Sequence, residues 1–169
     1  MAEIENIKDA ILTAIQMEKD GYSFYTKAAA QTNSEMGRTI FESLAEDEQR
    51  HLDVFQKMFE DKVSKSEWND LIDSSKKYSK IPIFPTDLKN SVGMDTDSTE
   101  LDALRMAMDS EKEAIDYYGK IKETLEDKEV KNVIDEIIEQ EKKHYSIFEG
   151  EFNHINSTGY WFELDYLGN

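Results

Sequence analysis

The chain has no cysteine. That removes disulfides, thiolate nucleophiles, zinc–thiolate sites and iron–sulfur clusters. Proline is almost absent, with 2 in 169 residues, and glycine is held to 7, so little interrupts a long helix. No apolar run reaches the ~18 residues that a membrane span needs. The opening residues, from Met1 to Asn6, are acidic. They have neither the basic segment nor the apolar core of a secretory leader, so cytoplasm is the default expectation. Basic residues are few: 20 Lys and Arg stand against 37 Asp and Glu, a net charge of −17. Nucleic acid and anionic membrane surfaces are therefore poor partners. The 38% hydrophobic and 34% charged residues suit amphipathic helices around one core. The length suits a single domain, 1–169.

Apolar residues at Ile4, Ile7, Ile11, Ile15, Tyr22, Tyr25 and Ala29 trace one face of a helix expected from about Ile4 to Thr32. Asn33 and Ser34 supply a turn and an N-cap. A second helix is expected from about Glu35 to Lys62, with Ile40, Phe41, Leu44, Leu52, Phe55 and Phe59 inside. The stretch 63–97 differs. It holds both prolines, Pro82 and Pro85, and room for a short helix over Ser66–Ser75 around Trp68, Leu71 and Ile72. A connection this long fits a crossover along a bundle, which would set the second and third helices parallel. Asp97 and Glu100 resemble a capping signal for a third helix running to about Leu125. A tight turn at Glu126–Lys128 leads to a fourth, expected from about Glu129 to Phe152. The aromatic tail, 153–169, is expected to pack on the bundle end. It could equally form an interface, and a homodimer is one expectation.

Six ionisable residues interrupt these apolar stripes. Glu18 lies seven residues after Ile11 and seven before Tyr25; Glu111 lies likewise between Leu104 and Tyr118. Glu48 sits between Phe41 and Phe55, and Glu141 between Ile134 and Phe148. His51 follows Leu44 and His144 follows Ile137 at the same step. Seven residues return to nearly the same helix face, so these groups point where a core belongs. The pattern also repeats without a gap. Ile11, Glu18, Tyr25, Phe41, Leu44, Glu48, His51 and Phe55 recur 93 residues later as Leu104, Glu111, Tyr118, Ile134, Ile137, Glu141, His144 and Phe148. Two helical hairpins related by a pseudo-twofold axis would bring both sets into one core.

Burying an isolated carboxylate costs several kcal/mol even after relaxation, so four facing one interior call for cations. Glu48 with His51, and Glu141 with His144, share a helix face at a spacing of three. Glu18 and Glu111 would add one terminal carboxylate each. This is the ligand pattern of four-helix di-iron and di-manganese carboxylate sites. Four carboxylates balance two divalent ions, and the donor set suits iron or manganese, with zinc also able to bind. A lone Glu-x-x-His is weak, because Glu is common in this chain. Glu151 and His154 form such a pair outside the repeat, and a surface or capping role is expected for them. Tyr25 and Tyr118 fit as core aromatics, or as donors of hydrogen bonds to a ligand carboxylate of the opposite hairpin. Gly21 and Ala114, one turn past Glu18 and Glu111, leave room at the metals or ease helix packing.

With those residues in place, the chain resembles the rubrerythrin-like branch of the ferritin-like superfamily over Ile4 to Phe152. The segments Glu18–Tyr25, Glu48–His51, Glu111–Tyr118 and Glu141–His144 carry the resemblance. It implies an all-α, ferritin-like four-helix bundle built from two hairpins with a long crossover. It further implies a centre of two iron ions that reduces hydrogen peroxide, or reacts with dioxygen, with electrons from a donor. Rubrerythrins typically carry a four-cysteine rubredoxin domain that is missing here, so an external donor such as a rubredoxin-like protein is expected. The family's additional Glu, three residues after the third-helix ligand, is Ala114 here, and Glu113 faces elsewhere. Iron handling or storage with ferroxidase activity is the alternative, and a bundle with a structural metal a third.

Overall fold

The computed structural model describes residues 7–59, 64–75 and 96–162, and among them five helices and no strand. They are α1 (Ile7–Gln31), α2 (Glu35–Phe59), α3 (Lys65–Ser75), α4 (Thr96–Thr124) and α5 (Lys128–Thr158). The expected extensions over Ile4–Asn6 and Glu60–Lys62, both prolines and the end of the tail lie outside the described residues.

Short turns fold α1 against α2 and α4 against α5. Ser34 stops the first turn from propagating as helix, because its hydroxyl accepts the Gly37 N–H at 3.1 Å and caps α2. Asp127 does the same for α5, accepting from Glu129 N at 2.8 Å and Val130 N at 3.3 Å. The two hairpins then face each other, and side-chain contacts fix their sense. Tyr25 reaches Glu111 while Tyr118 reaches Glu18. His51 reaches Gln140 while His144 reaches Asp47. Ascending numbers on one helix meet descending numbers on the other, so α1 is antiparallel to α4 and α2 to α5. It follows that α2 and α4 run parallel, as the long crossover requires. The contacts also exchange under the 93-residue repeat, which is the pseudo-twofold axis seen in three dimensions.

The core follows the stripes with one exchange. Ile15, Tyr25, Ala29, Phe41, Leu44 and Phe55 are buried, as are Leu104, Tyr118, Ile134, Ile137 and Phe148. Tyr22, expected inside, is 42% exposed, and Phe24 is buried in its stead. A helix turns 100° per residue, so the inward stripe drifts past position 22 and takes in position 24. Ile40 and Leu52 are half-buried at the margin.

The short crossover helix α3 packs on α1 through buried Trp68. Ser64 and Glu67 form a reciprocal capping box at its start, with Glu67 Oε2 accepting from Ser64 N at 2.7 Å. At its other end Lys19 Nζ donates to the Ile72 carbonyl at 3.0 Å, and Ser75 donates to Gln16 at 3.1 Å. The fourth long helix passes the expected stop at Phe152, because Ile155 and Glu151 still face inward. It closes at Gly159, whose φ of 80° is open to glycine and whose N–H bonds the Ile155 carbonyl at 2.7 Å.

The chain then folds back. Trp161 is buried edge-on against Phe41, with ring centroids 5.9 Å apart. Its indole N–H donates to Glu100 Oε2 at 2.7 Å, while Thr32 donates to Glu100 Oε1 at 2.7 Å. Glu100 thus ties the first turn, α4 and the tail, rather than closing a capping box. Asp97 already lies within α4.

Candidate metal centre

Each long helix delivers its share of the six ionisable residues to the middle of the bundle. Glu18 comes from α1, Glu48 and His51 from α2, Glu111 from α4, and Glu141 and His144 from α5. All six are buried, with 1–4% of their surface exposed. They fall into two groups whose candidate ligand atoms lie within 4.8 Å of one another: Glu18, Glu48, His51 and Glu141, and Glu48, Glu111, Glu141 and His144. Glu48 and Glu141 belong to both.

The central carboxylates divide their oxygens between the histidines. Glu141 offers Oε1 to His51 Nδ1 at 3.2 Å and Oε2 to His144 Nδ1 at 3.1 Å. Glu48 presents Oε2 to His51 at 3.8 Å and Oε1 to His144 at 3.9 Å. The outer carboxylates serve one histidine each. Glu18 lies 2.9 Å from His51 Nδ1, and Glu111 lies 3.6 Å from His144 Nδ1. The imidazole planes are 24° from parallel, with centroids 6.1 Å apart.

Both histidines turn Nδ1 inward and Nε2 outward. His51 Nε2 meets Gln140 Oε1 at 3.1 Å, and His144 Nε2 meets Asp47 Oδ2 at 3.3 Å. An acceptor outside fixes a proton on Nε2 and turns Nδ1 toward the carboxylates, where it carries a proton in the metal-free site and becomes a metal donor once that proton leaves.

Tyr25 and Tyr118 are fully buried and cross between hairpins, donating to Glu111 and Glu18 respectively. Burial, then the surrounding glutamates, push both phenols above their usual range, so they remain donors. Each stands on an aromatic neighbour: Tyr25 on Phe148, with centroids 5.5 Å apart, and Tyr118 on Phe55, at 6.1 Å. These layers close the centre off along the bundle axis. Among the described residues, no buried side-chain nitrogen or oxygen lacks a hydrogen-bond partner.

The electrostatics show what the pocket demands. Burial opposes charge on His51, yet Glu18 and Glu141 outweigh it and raise its pKa to about 10. His144 also rises to about 10 against its own burial, through Glu111 and Glu141. Burial and the Glu141 charge lift Glu111 to about 8 and Glu48 well above the usual carboxylate range. Glu141 goes the other way: burial opposes its charge, but the two histidines hold it well below that range. Protons are standing where cations would satisfy the same donors. Oxygen-rich ligands with one imidazole per group fit two hard or borderline ions such as iron or manganese.

Gly21 and Ala114 take up different positions in this frame. A Cβ at Gly21 would stand 3.0 Å from Glu48 Cδ and 3.1 Å from its Oε2, so the missing side chain lets that carboxylate lie against α1. Ala114 is buried and Glu113 exposed, so no carboxylate enters from either place. Glu151 is buried and accepts the Phe162 N–H at 3.0 Å, while half-buried His154 lies edge-on to Phe162. That pair fastens the returning tail, well apart from the centre. Asp47 and Gln140, which stand behind the histidines, are the neighbours of the centre that the apolar stripes did not reveal. Their one signal is that they are repeat mates, each four residues before a histidine.

Among the described residues no helix is long and apolar enough to cross a membrane. A family model described as Rubrerythrin matches residues 9–152. Among solved structures, a hypothetical protein from Pyrococcus furiosus is 20% identical, with a TM-score of 0.69 over 90% of this chain and 92% of that one. KatB, a manganese catalase from Anabaena PCC7120, is 16% identical, with a TM-score of 0.64 over 100% of this chain and 79% of its own. At such identities the likeness is one of fold. No curated protein matches.

Proposed function

The chain belongs to the rubrerythrin family, and from that premise we propose a dinuclear oxidoreductase that reduces hydrogen peroxide, or reacts with dioxygen, using electrons from an external donor. The observation that carries this reading is the division of Glu48 and Glu141, each with one oxygen toward either histidine. Glu48 and Glu141 would be shared between two metals, with Glu18 and His51 holding one and Glu111 and His144 the other. Bound as ferrous ions, the pair would supply the two electrons that, with two protons, turn hydrogen peroxide into two waters.

The chain's own residues do the rest. Tyr25 and Tyr118 orient the outer carboxylates and satisfy the lone pairs that a metal leaves free. They are positioning residues. The Phe148 and Phe55 layers keep bulk water from the reacting oxygens, which strengthens every charge interaction inside. Gly21 lets the Glu48 carboxylate lie against α1.

The test is an anaerobic Fe(II) titration of metal-free protein, finished with one equivalent of peroxide per site. Two irons per chain and prompt ferric absorbance are expected. Glu48→Ala and Glu141→Ala should each abolish binding of the pair. No saturable binding, or iron that peroxide leaves ferrous, refutes the reading. Manganese-loaded protein that releases dioxygen from peroxide alone would replace it with disproportionation.

A further inference from the structure

The repeat is faithful at all six proposed ligands but breaks at the residues behind the histidines. Position 47 is Asp and its mate, position 140, is Gln. They do the same geometric job, accepting from the outward Nε2 of the histidine on the opposite hairpin, at 3.3 Å and 3.1 Å. They differ in charge. The Asp47 carboxylate is further fixed by Arg50, which grips its Oδ1 while Oδ2 faces His144. A carboxylate behind an imidazole pulls harder on the Nε2 proton than an amide does, and makes Nδ1 the stronger donor.

We propose that Asp47 and Gln140 make the two metal positions unequal, so that the half containing His144 fills before the half containing His51. This rests on the dinuclear reading above. The inequality is a property of binding, present before any peroxide arrives. It gives the pair a fixed polarity, with one ion seated firmly and the other held more loosely.

The experiment uses Co(II) alone, added to metal-free full-length protein at one equivalent per chain, with occupancy at the two positions read from anomalous scattering. Wild type should favour the His144 position by about tenfold, the lower end of what partners behind a ligand contribute. Asp47→Asn and Gln140→Glu each keep side-chain shape and change only charge. Asp47→Asn should bring the positions within about threefold of each other. Gln140→Glu should do so by strengthening the His51 side, and the double variant should reverse the preference. An even split in wild type, a preference for the His51 position, or a ratio that neither substitution moves would overturn the proposal. Excess Co(II) keeps that failure distinct from failure of the dinuclear reading: if both positions fill, the latter stands, and if they do not, it falls too.

Discussion

Loading the centre must expel protons, and their number can be worked from the residues that hold them. At neutral pH the metal-free site carries protons on His51 and His144, both raised to about 10, and on Glu111, raised to about 8. Burial and the Glu141 charge shift Glu48 in the same direction. The first three must each lose a proton to act as ligands, so two divalent ions should release about three protons per chain near pH 7. The logarithm of the overall binding constant should then rise by about three for each pH unit, or ~4 kcal/mol per unit. Calorimetric titration with Mn(II) in two buffers of different ionisation enthalpy measures the release directly. Release of one proton or fewer would mean that the carboxylates are already ionised and that this account of the metal-free pocket is wrong. The same shifts set the pH dependence of folding. The stabilisation from His51 and His144 is fully present below their unfolded value of 6.5 and is lost as pH rises through about 10. That from Glu111 is present below 4.5 and is lost through about 8. Glu141, depressed, contributes above 4.5 and loses its contribution in acid. Metal-free protein should therefore melt progressively lower from about pH 4.5 upward, and more steeply once the histidines join above 6.5, and loaded protein should not follow that decline.

Three substitutions test the surrounding frame. Tyr118→Phe removes the donor to buried Glu18 and should cost about 1–3 kcal/mol in thermal unfolding of the metal-free form, with weaker metal binding; an unchanged melting point would remove the tyrosine from the design. Gly21→Ala adds helix propensity worth about 1 kcal/mol, yet places a methyl 3.0 Å from Glu48 Cδ. Stability should hold or rise while metal affinity falls, and unaltered affinity would show that the space beside Glu48 is immaterial. Gly37→Ala puts a Cβ 2.7 Å from Trp161 Cζ2 and 2.9 Å from Thr32 Oγ1, so the indole should be displaced and its fluorescence shifted to the red, whereas an unchanged spectrum would contradict the packing of the tail.

The proposed ligands were legible because burial of charge leaves a mark on a periodic sequence: a Glu where the stripe demands an apolar residue has no cheap explanation. The crossing of Tyr25 to Glu111 was legible from the repeat, since it places each tyrosine two turns from its own hairpin's carboxylate. Asp47 and Gln140 left no such mark, because polar residues at a stripe's edge look like ordinary solvated surface. The length of α5 and the burial of Glu151 depend on the tail folding back to present Phe162 N–H, a long-range contact with no local period. Lys19 reads as one more surface charge until α3 is seen to end above it, with the Ile72 carbonyl 3.0 Å from its ammonium. Glu100 likewise reads as a cap, and is drawn instead to Thr32 and Trp161, which sequence distance hides.

The crossing pattern bears on how the protein is made. Tyr25–Glu111, Tyr118–Glu18, His51–Gln140 and His144–Asp47 all join one hairpin to the other. A nascent chain that has presented only its first hairpin displays two glutamates and a histidine, too few donors to hold an ion selectively against tighter-binding copper or zinc. On the proposed ligand set, competence would arrive only once His144 has been delivered and the second hairpin docks. Splitting those ligands between the halves would postpone the choice of metal until the folded cavity, rather than the bare sequence, can make it.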